Sequence, residues 1–124
     1  MNARLALVLA SAFLFAAVAL GAFGTHALKA TLATDLISTY QTAAQYHFWH
    51  ALGLFGVAIL LLHKPDDAGL VLAAWLLVVG LVLFCGSLYL LALTGVRGLG
   101  VVTPFGGIAF LGAWAVLAWA AWRW

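Results

Sequence analysis

Long apolar runs separated by a few charged residues dominate the pattern of this chain. Four runs carry no charged residue and lie at 5–28, 36–63, 68–96 and 98–122. A helix of about 20 residues crosses the hydrocarbon core of a bilayer, so each run is long enough to cross once and too short to cross twice. A transmembrane β-barrel would need alternating strands of about ten residues, which these continuous stretches do not show. The pattern predicts an all-α integral membrane four-helix bundle, a single domain over residues 1–124.

Short local signals predict where the helices begin and end. Ser38 fits a capping box at the start of the second helix. Asp66 or Asp67 can cap the third helix, and Gly95 can end it in a left-handed turn. Thr103, followed by a proline, is typical of the start of a helix. These signals predict four helices at roughly 4–27, 38–63, 67–94 and 103–123.

Two segments in the first part of the chain allow more than one interpretation. Arg4, an apolar run and the triplet Ala-Val-Ala at 17–19 resemble a secretory signal with its cleavage site. Because the apolar run continues to Leu28, we interpret this segment as a retained span. Leu28, Leu32 and Leu36 are spaced four residues apart, which predicts either an amphipathic turn in the membrane interface or an ordinary polar loop.

Composition excludes several classes of protein. The 124 residues are 68% hydrophobic and only 6% charged, against about 25% charged residues in a typical soluble domain. Disordered chains are rich in charge, so disorder is excluded as well. Cys85 is the only cysteine, which rules out an intrachain disulfide scaffold. The few basic residues form no patch, so we expect no nucleic-acid partner. The expected surroundings are the lipid bilayer, with a second copy or another membrane protein as candidate partners.

Basic residues predict the orientation in the membrane. Four spans place both termini on one side, together with Arg4, Lys64 and Arg123, whereas Lys29 and Arg97 lie on the other side. Cytoplasmic loops carry an excess of basic residues. The balance of three against two predicts that both termini are cytoplasmic.

Small residues on two of the predicted helices indicate where helices approach closely. Lipid tails are as apolar as leucine, so helix association in a membrane depends on close packing and polar contacts. Gly21 and Gly24 lie on the first helix, and Gly80, Ser87 and Thr94 follow one stripe of the third. We expect these five positions at helix–helix contacts.

A few polar residues inside or beside the spans are candidates for binding, because polar groups at membrane depth are costly. They are His26, Tyr46, His47, His50 and Arg97. On a helical wheel Tyr46, His47 and His50 fall within an arc of about 100°, whereas Gln41 and Gln45 point to a different side. We expect the His50 ring to take a hydrogen-bond partner from Thr25, His26, Tyr89, Thr94 or Arg97.

These residues leave several interpretations open. His26, His47 and His50 could hold a metal ion, or two of the histidines could be axial ligands of a haem. Arg97 with His50 and Tyr46 could bind a quinone or a lipid headgroup. The alternative that we favour is structural, with the histidines forming hydrogen bonds between helices.

Catalytic signals are absent from the spans. None of the three carboxylates lies within an apolar run, and no nucleophile elbow or phosphate-binding glycine loop occurs. We therefore expect a non-enzymatic membrane protein, without a bound cofactor, that associates with a lipid, a partner or itself. The alternative is a membrane protein with a histidine-based metal, haem or quinone site near His26, His50 and Arg97.

Several short motifs resemble one family. The segment GAFGTHALK at 21–29 resembles its GAFGxHALK signature, and YQTA at 40–43 with HAL at 50–52 resembles its second motif. GSLY at 86–89, LTG at 93–95 and TPFGG at 103–107 resemble the third. The chain is thus similar to the domain of unknown function 423 family, whose relatives include transmembrane protein 256. The resemblance implies a four-helix bacterial inner-membrane protein and no particular activity. It also implies glutamine at position 47, which argues against a family-wide metal site at His47 and His50.

Overall fold

Residues 1–124 are described by a computed structural model in which helices are the only regular secondary structure. The helices are α1 (Ala3–Phe23), α2 (Thr34–His63), α3 (Ala68–Gly80), α4 (Gly86–Thr94) and α5 (Thr103–Trp122). A π-helical turn at Gly24–Leu28 extends α1, another at Leu81–Cys85 joins α3 to α4, and a 3-10 turn at Arg97–Val101 precedes α5.

Four of the resulting helical segments are long and apolar enough to cross a membrane. We call them spans 1 to 4, and they are Ala3–Leu28, Thr34–His63, Ala68–Thr94 and Arg97–Trp122. Large apolar side chains face outward along them, including Phe15, which is 79% exposed. Such exposure suits lipid as the surrounding solvent. The predicted all-α fold with four membrane-spanning helices is confirmed.

Two of the predicted helix ends match the structure closely. The Asp67 carboxylate accepts hydrogen bonds from the backbone N–H groups of Gly69 (2.9 Å) and Leu70 (3.1 Å), and so caps α3. Gly95 follows α4 with φ of 71°, the left-handed conformation that glycine adopts without steric cost. Of the two candidates for the cap of the third span, Asp67 is therefore the one used.

The start of the second helix differs from the prediction. The α2 helix begins at Thr34, so Ser38 lies one turn inside it rather than at its cap. Ile37 N–H already donates to the Ala33 carbonyl at 2.9 Å, and Asp35 in the first turn is favoured by the helix dipole. Leu28 belongs to the π-turn of span 1 and Leu36 to α2, and the chain between them forms a short turn in which the Leu32 N–H donates to the Leu28 carbonyl at 3.1 Å.

Spans 2 and 3 form the centre of the bundle. Span 1 packs chiefly against span 2, and span 4 packs chiefly against span 3. The most deeply buried large side chains come from the two central spans and include Leu54, Leu61, Leu70 and Leu77. Spans 1 and 4 therefore pack mainly on different central spans, although aromatic side chains of span 4 also reach span 2, where Phe110 stacks on His50.

Glycines permit two of the close contacts between spans. A Cβ at Gly80 would overlap the Phe110 ring, and a Cβ at Gly106 would overlap the backbone of Phe84. Spans 3 and 4 can approach this closely only because both positions lack a side chain. The expectation of a helix–helix contact at Gly80 agrees with this geometry.

The other predicted packing positions are used in different ways. The Ser87 hydroxyl lies 2.6 Å from that of Thr103, so it joins spans 3 and 4 and gives the Thr103 side chain a role other than the predicted cap. The Thr94 hydroxyl donates to the Leu90 carbonyl within its own helix. At Gly21 a Cβ would meet no atom within 4 Å, so the structure does not support the predicted contact there.

Candidate functional site

The N-terminal part of α2 extends beyond the start of α5. Tyr46 lines the same groove as Pro104, so it lies level with the first turn of α5. The 20 residues of α5 span about 30 Å, close to the thickness of the hydrocarbon core. The segment of α2 that precedes Tyr46 therefore continues past the first turn of α5, at the end of the bundle where span 4 begins.

A polar cleft of about 530 Å³ lies in that region, between spans 1 and 2. Its walls are Gly21, Gly24, Thr25, Lys29, Ile37, Ser38, Tyr40, Gln41, Thr42, Ala44 and Gln45. The Thr25 and Thr42 hydroxyls donate to carbonyls of their own helices. The Lys29 ammonium, the Ser38 hydroxyl and the Gln41 and Gln45 amides are the polar side-chain groups left for a ligand in the cleft.

The charges at this end of the molecule are divided between one ion pair and one free cation. Arg97 donates to the Asp35 carboxylate at 2.6 Å, and both side chains are exposed. This is the only ion pair in the structure, so Lys29 has no carboxylate partner. Arg97 is held at the surface by Asp35 and does not reach down to His50, contrary to the expected cluster.

Tyr40 forms one wall of the cleft and ties the two spans together. Its ring lies against Gly24, where a Cβ would overlap the aromatic carbons, and its hydroxyl donates to the Leu20 carbonyl. This contact falls where α1 changes to a π-turn, a feature that often occurs at functional sites. The expected contact at Gly24 is therefore present, although a tyrosine ring, rather than a helix backbone, fills the space.

His47 is buried between three spans, with only 4% of its surface exposed. Its Nδ1 shares a hydrogen bond of 2.9 Å with the Tyr89 hydroxyl, and its ring meets Phe13 edge-on at 6.1 Å between centroids. Its Nε2 is buried and forms no hydrogen bond. The favoured structural interpretation, a histidine bonded between helices, describes His47 well.

His50 makes different contacts from those predicted. Its Nδ1–H donates to the Tyr46 carbonyl one turn earlier in α2, at 2.8 Å. Its ring stacks on Phe110, with the ring centroids 3.6 Å apart. None of the five expected partners, Thr25, His26, Tyr89, Thr94 and Arg97, bonds to it. The carbonyl at i−4 lies within reach without any movement of another helix, and the Tyr46 and Phe110 rings stack with the imidazole.

The three histidines named as candidate metal ligands do not form a common site. No group of three or more His, Cys, Asp or Glu side chains is placed to hold a metal ion. His26 is exposed on the π-turn of span 1, His47 faces Tyr89 and Phe13, and His50 faces Phe110. The spacing of His47 and His50 along α2 therefore does not produce a shared site.

The candidate list missed the residues that line the cleft. Gln41 and Gln45 are not among the candidates for binding in the sequence analysis, because the helical wheel places them on a different side from Tyr46, His47 and His50. Their spacing of four residues on one face of α2, after the cation Lys29 in the preceding turn, was the signal available. Tyr46 and His50 lie outside the cleft, in a separate groove.

The fold and the cleft define a polytopic helical membrane protein with a polar site at one membrane face. Comparisons with known proteins give the family. The model of the family described as "Protein of unknown function (DUF423)" matches residues 20–107. The chain belongs to this family.

Relatives from several bacteria match most of the chain. The UPF0382 membrane protein YwdK of Bacillus subtilis is 44% identical over 105 residues, which cover 85% of each chain. The UPF0382 membrane protein SH2409 of Staphylococcus haemolyticus is 37% identical over 92% of each chain. The UPF0382 inner membrane protein YgdD of Escherichia coli is 38% identical over 94% of this chain and 88% of its own. No solved structure matches. The names of these relatives agree with the membrane assignment.

Proposed function

We propose that this protein is a non-enzymatic membrane protein that binds the phosphate headgroup of an anionic phospholipid in the cleft between spans 1 and 2. The observation that carries the proposal is Lys29, a cation that lines a polar cleft and has no carboxylate partner. Association with a second copy or with another membrane protein stays a prediction.

The chemistry of the cleft suits a phosphodiester. The Lys29 ammonium supplies positive charge, and the Gln41 and Gln45 amides supply neutral donors on the facing wall. A lysine near an anionic membrane surface contributes about 1 kcal/mol to lipid binding. The cleft volume of about 530 Å³ is within the usual range for small-molecule sites.

We also propose that the protein lies in the bacterial inner membrane with both termini in the cytoplasm. The basic residues on the two faces support this orientation, as does the name of the Escherichia coli relative for the location. The cleft then belongs to the outer leaflet of the inner membrane. An external thiol reagent should label Lys29→Cys in intact spheroplasts and leave Arg123→Cys unlabelled. The reverse labelling would invert the orientation.

Lipid binding can be measured by native mass spectrometry of the purified protein. Phosphatidylglycerol should be retained about fivefold more strongly than phosphatidylcholine, because its net negative charge attracts one lysine by about 1 kcal/mol, whereas the trimethylammonium group of phosphatidylcholine cancels the phosphate charge. Lys29→Gln should abolish this preference. Lys64→Gln is the matched control, because Lys64 lies at the other membrane face beside Trp124.

A third comparison distinguishes a binding site for a lipid from a binding site for a free phosphate anion. Inorganic phosphate and glycerol 3-phosphate carry the same charged group without an acyl chain, so they should compete only weakly. Effective competition by either of them would indicate a site for a soluble phosphate. Equal loss of phosphatidylglycerol from Lys29→Gln and Lys64→Gln would contradict the assignment to the cleft.

A further inference from the structure

A second concave site lies between spans 2 and 4, separate from the polar cleft between spans 1 and 2. This groove of about 390 Å³ is lined by Tyr46, His50, Phe84, Pro104, Gly107, Ile108, Phe110, Leu111 and Trp114. Two of its lining residues, Ile108 and Leu111, are 66% and 73% exposed on the outer surface of α5. The groove therefore opens to the hydrocarbon region, and a ligand would enter it from the lipid.

Flat rings form the walls of the groove. Tyr46 and His50 are stacked with an angle of 9° between their planes, and His50 and Phe110 are stacked with an angle of 17°. Phe84 closes one end, at 4.6 Å from Tyr46 and 5.5 Å from Phe110 between centroids. Surfaces of this kind favour an aromatic ligand, because offset-stacked and edge-on ring pairs add to the energy of apolar burial.

His50 is the only imidazole in the groove, where Tyr46 is the other ionisable side chain, and the backbone fixes the tautomer of His50. A carbonyl can only accept, so the hydrogen bond to the Tyr46 carbonyl requires the proton on Nδ1. In the neutral ring Nε2 is then an acceptor. Nε2 of His50 has no hydrogen-bond partner in the protein and is not fully buried, and the His50 ring lines the groove.

Nε2 of His50 discriminates between ligands that can donate a hydrogen bond and ligands that can only accept one. A ring hydroxyl can donate to Nε2, whereas a ring carbonyl or a methyl ether cannot. Protonation of His50 would reverse this preference, but an imidazolium within the hydrocarbon region is costly. The charged groups of the chain offer no compensation, since none of them lines the groove.

We propose that this groove binds a membrane-dissolved amphiphile whose headgroup is a planar aromatic ring with a free hydroxyl, of the phenol or hydroquinone type. The ring lies against the aromatic walls, the hydroxyl donates to Nε2 of His50, and the apolar tail leaves past Leu111 into the lipid.

The proposal can be tested with 4-decylphenol in phosphatidylcholine nanodiscs, with empty nanodiscs as the reference for partitioning. Its methyl ether, 4-decylanisole, has the same ring and tail but no donor. We expect 4-decylphenol to bind about fivefold to tenfold more tightly than the ether, the ratio that one net hydrogen bond provides. Equal affinities would overturn the proposal. Phenol without the tail should bind at least tenfold more weakly, and binding as tight as that of 4-decylphenol would indicate a water-soluble ligand instead.

Two variants locate the site. His50→Leu should remove the preference for 4-decylphenol over the ether. His63→Leu is the matched control, because the exposed His63 ring makes the same i−4 hydrogen bond, to the Ile59 carbonyl at 3.1 Å, outside the groove.

Gly107→Leu fills the groove from α5 without changing His50, since a Cβ at Gly107 meets only the Phe84 ring at an ordinary 3.8 Å. It should weaken both ligands, and unchanged binding in either groove variant would contradict the proposal. Loss of the lipid preference of the cleft would leave these results unaffected, so the two proposals fail separately.

Discussion

The Tyr40 ring occupies the space that a side chain at Gly24 would fill, and so the glycine and the tyrosine form a matched pair across spans 1 and 2. The tyrosine hydroxyl donates to the Leu20 carbonyl at the junction of α1 and its π-turn. The ring also meets Tyr89 edge-on at 5.2 Å, which links the pair to span 3. One residue of α2 therefore holds the wall of the cleft and connects three spans.

Substitution of Gly24 should disturb this pair. In Gly24→Ala the new methyl group overlaps a ring that is fixed by Leu20 and Tyr89, so we expect a loss of about 1–3 kcal/mol, the usual cost of overpacking. Gly21→Ala, one turn earlier, meets no atom within 4 Å and should be neutral or slightly stabilising. Thermal unfolding of the two variants in detergent tests the difference. Equal midpoints would contradict the matched-pair interpretation.

Gly106 and Gly107 provide a second comparison, at the contact between spans 3 and 4. A Cβ at Gly106 would overlap the backbone nitrogen of Phe84, which cannot move without distorting the π-turn of span 3, whereas a Cβ at Gly107 makes an ordinary contact. Gly106→Ala should therefore cost about 1–3 kcal/mol of stability and Gly107→Ala less than about 1 kcal/mol. Urea or heat unfolding in detergent would show this order, and a milder effect at Gly106 would refute the assignment.

Asp67 predicts a dependence of stability on pH. The Trp124 indole donates to its Oδ2 at 3.1 Å, and this bond, together with the backbone N–H of Leu70, lowers the pKa of the carboxyl below its usual value. A lowered pKa in the folded state means that the stabilisation is present above the ordinary aspartate pKa of about 4 and is lost as the pH falls through the folded value.

The corresponding experiment compares neighbouring carboxylates. Asp67→Asn still caps α3 but no longer titrates. Its unfolding temperature should therefore fall less than that of the native protein between about pH 7 and about pH 3. Asp66→Asn is the control, because the Asp66 side chain makes no hydrogen bond in the structure, and it should follow the native curve. Parallel curves for Asp67→Asn and the native protein would show that the carboxylate does not contribute.

The spans were predictable because the absence of charge over more than 20 residues is a direct requirement of the hydrocarbon core. The helix ends at Asp67 and Gly95 were predictable because cap chemistry is local. The start of α2 at Thr34 was not predictable from the sequence, since no side chain caps this helix.

The contacts of the polar residues depend on the relative rotation of the helices, which the sequence pattern does not determine. Helices that are apolar on all sides give no amphipathic signal for the face that meets a neighbour. The pairing of His47 with Tyr89 and the stacking of His50 on Phe110 follow from that rotation. The contact between Gly24 and the Tyr40 ring, beside the π-turn, likewise joins residues 16 positions apart in sequence.

The most direct test of the proposed lipid site is the distance between the Lys29 side chain and a lipid phosphorus atom. The chain contains only two lysines, Lys29 and Lys64. Lysine labelled with ¹⁵N at Nζ, in nanodiscs that contain phosphatidylglycerol, can be probed by ¹⁵N–³¹P dipolar recoupling in solid-state NMR, and Lys64→Arg leaves the Lys29 signal alone. A bound phosphodiester predicts a short, well-defined ¹⁵N–³¹P distance for Lys29, about 3–4 Å for a direct hydrogen bond, and a weak coupling for Lys64. Equal coupling at the two lysines, or none at Lys29, would contradict the account.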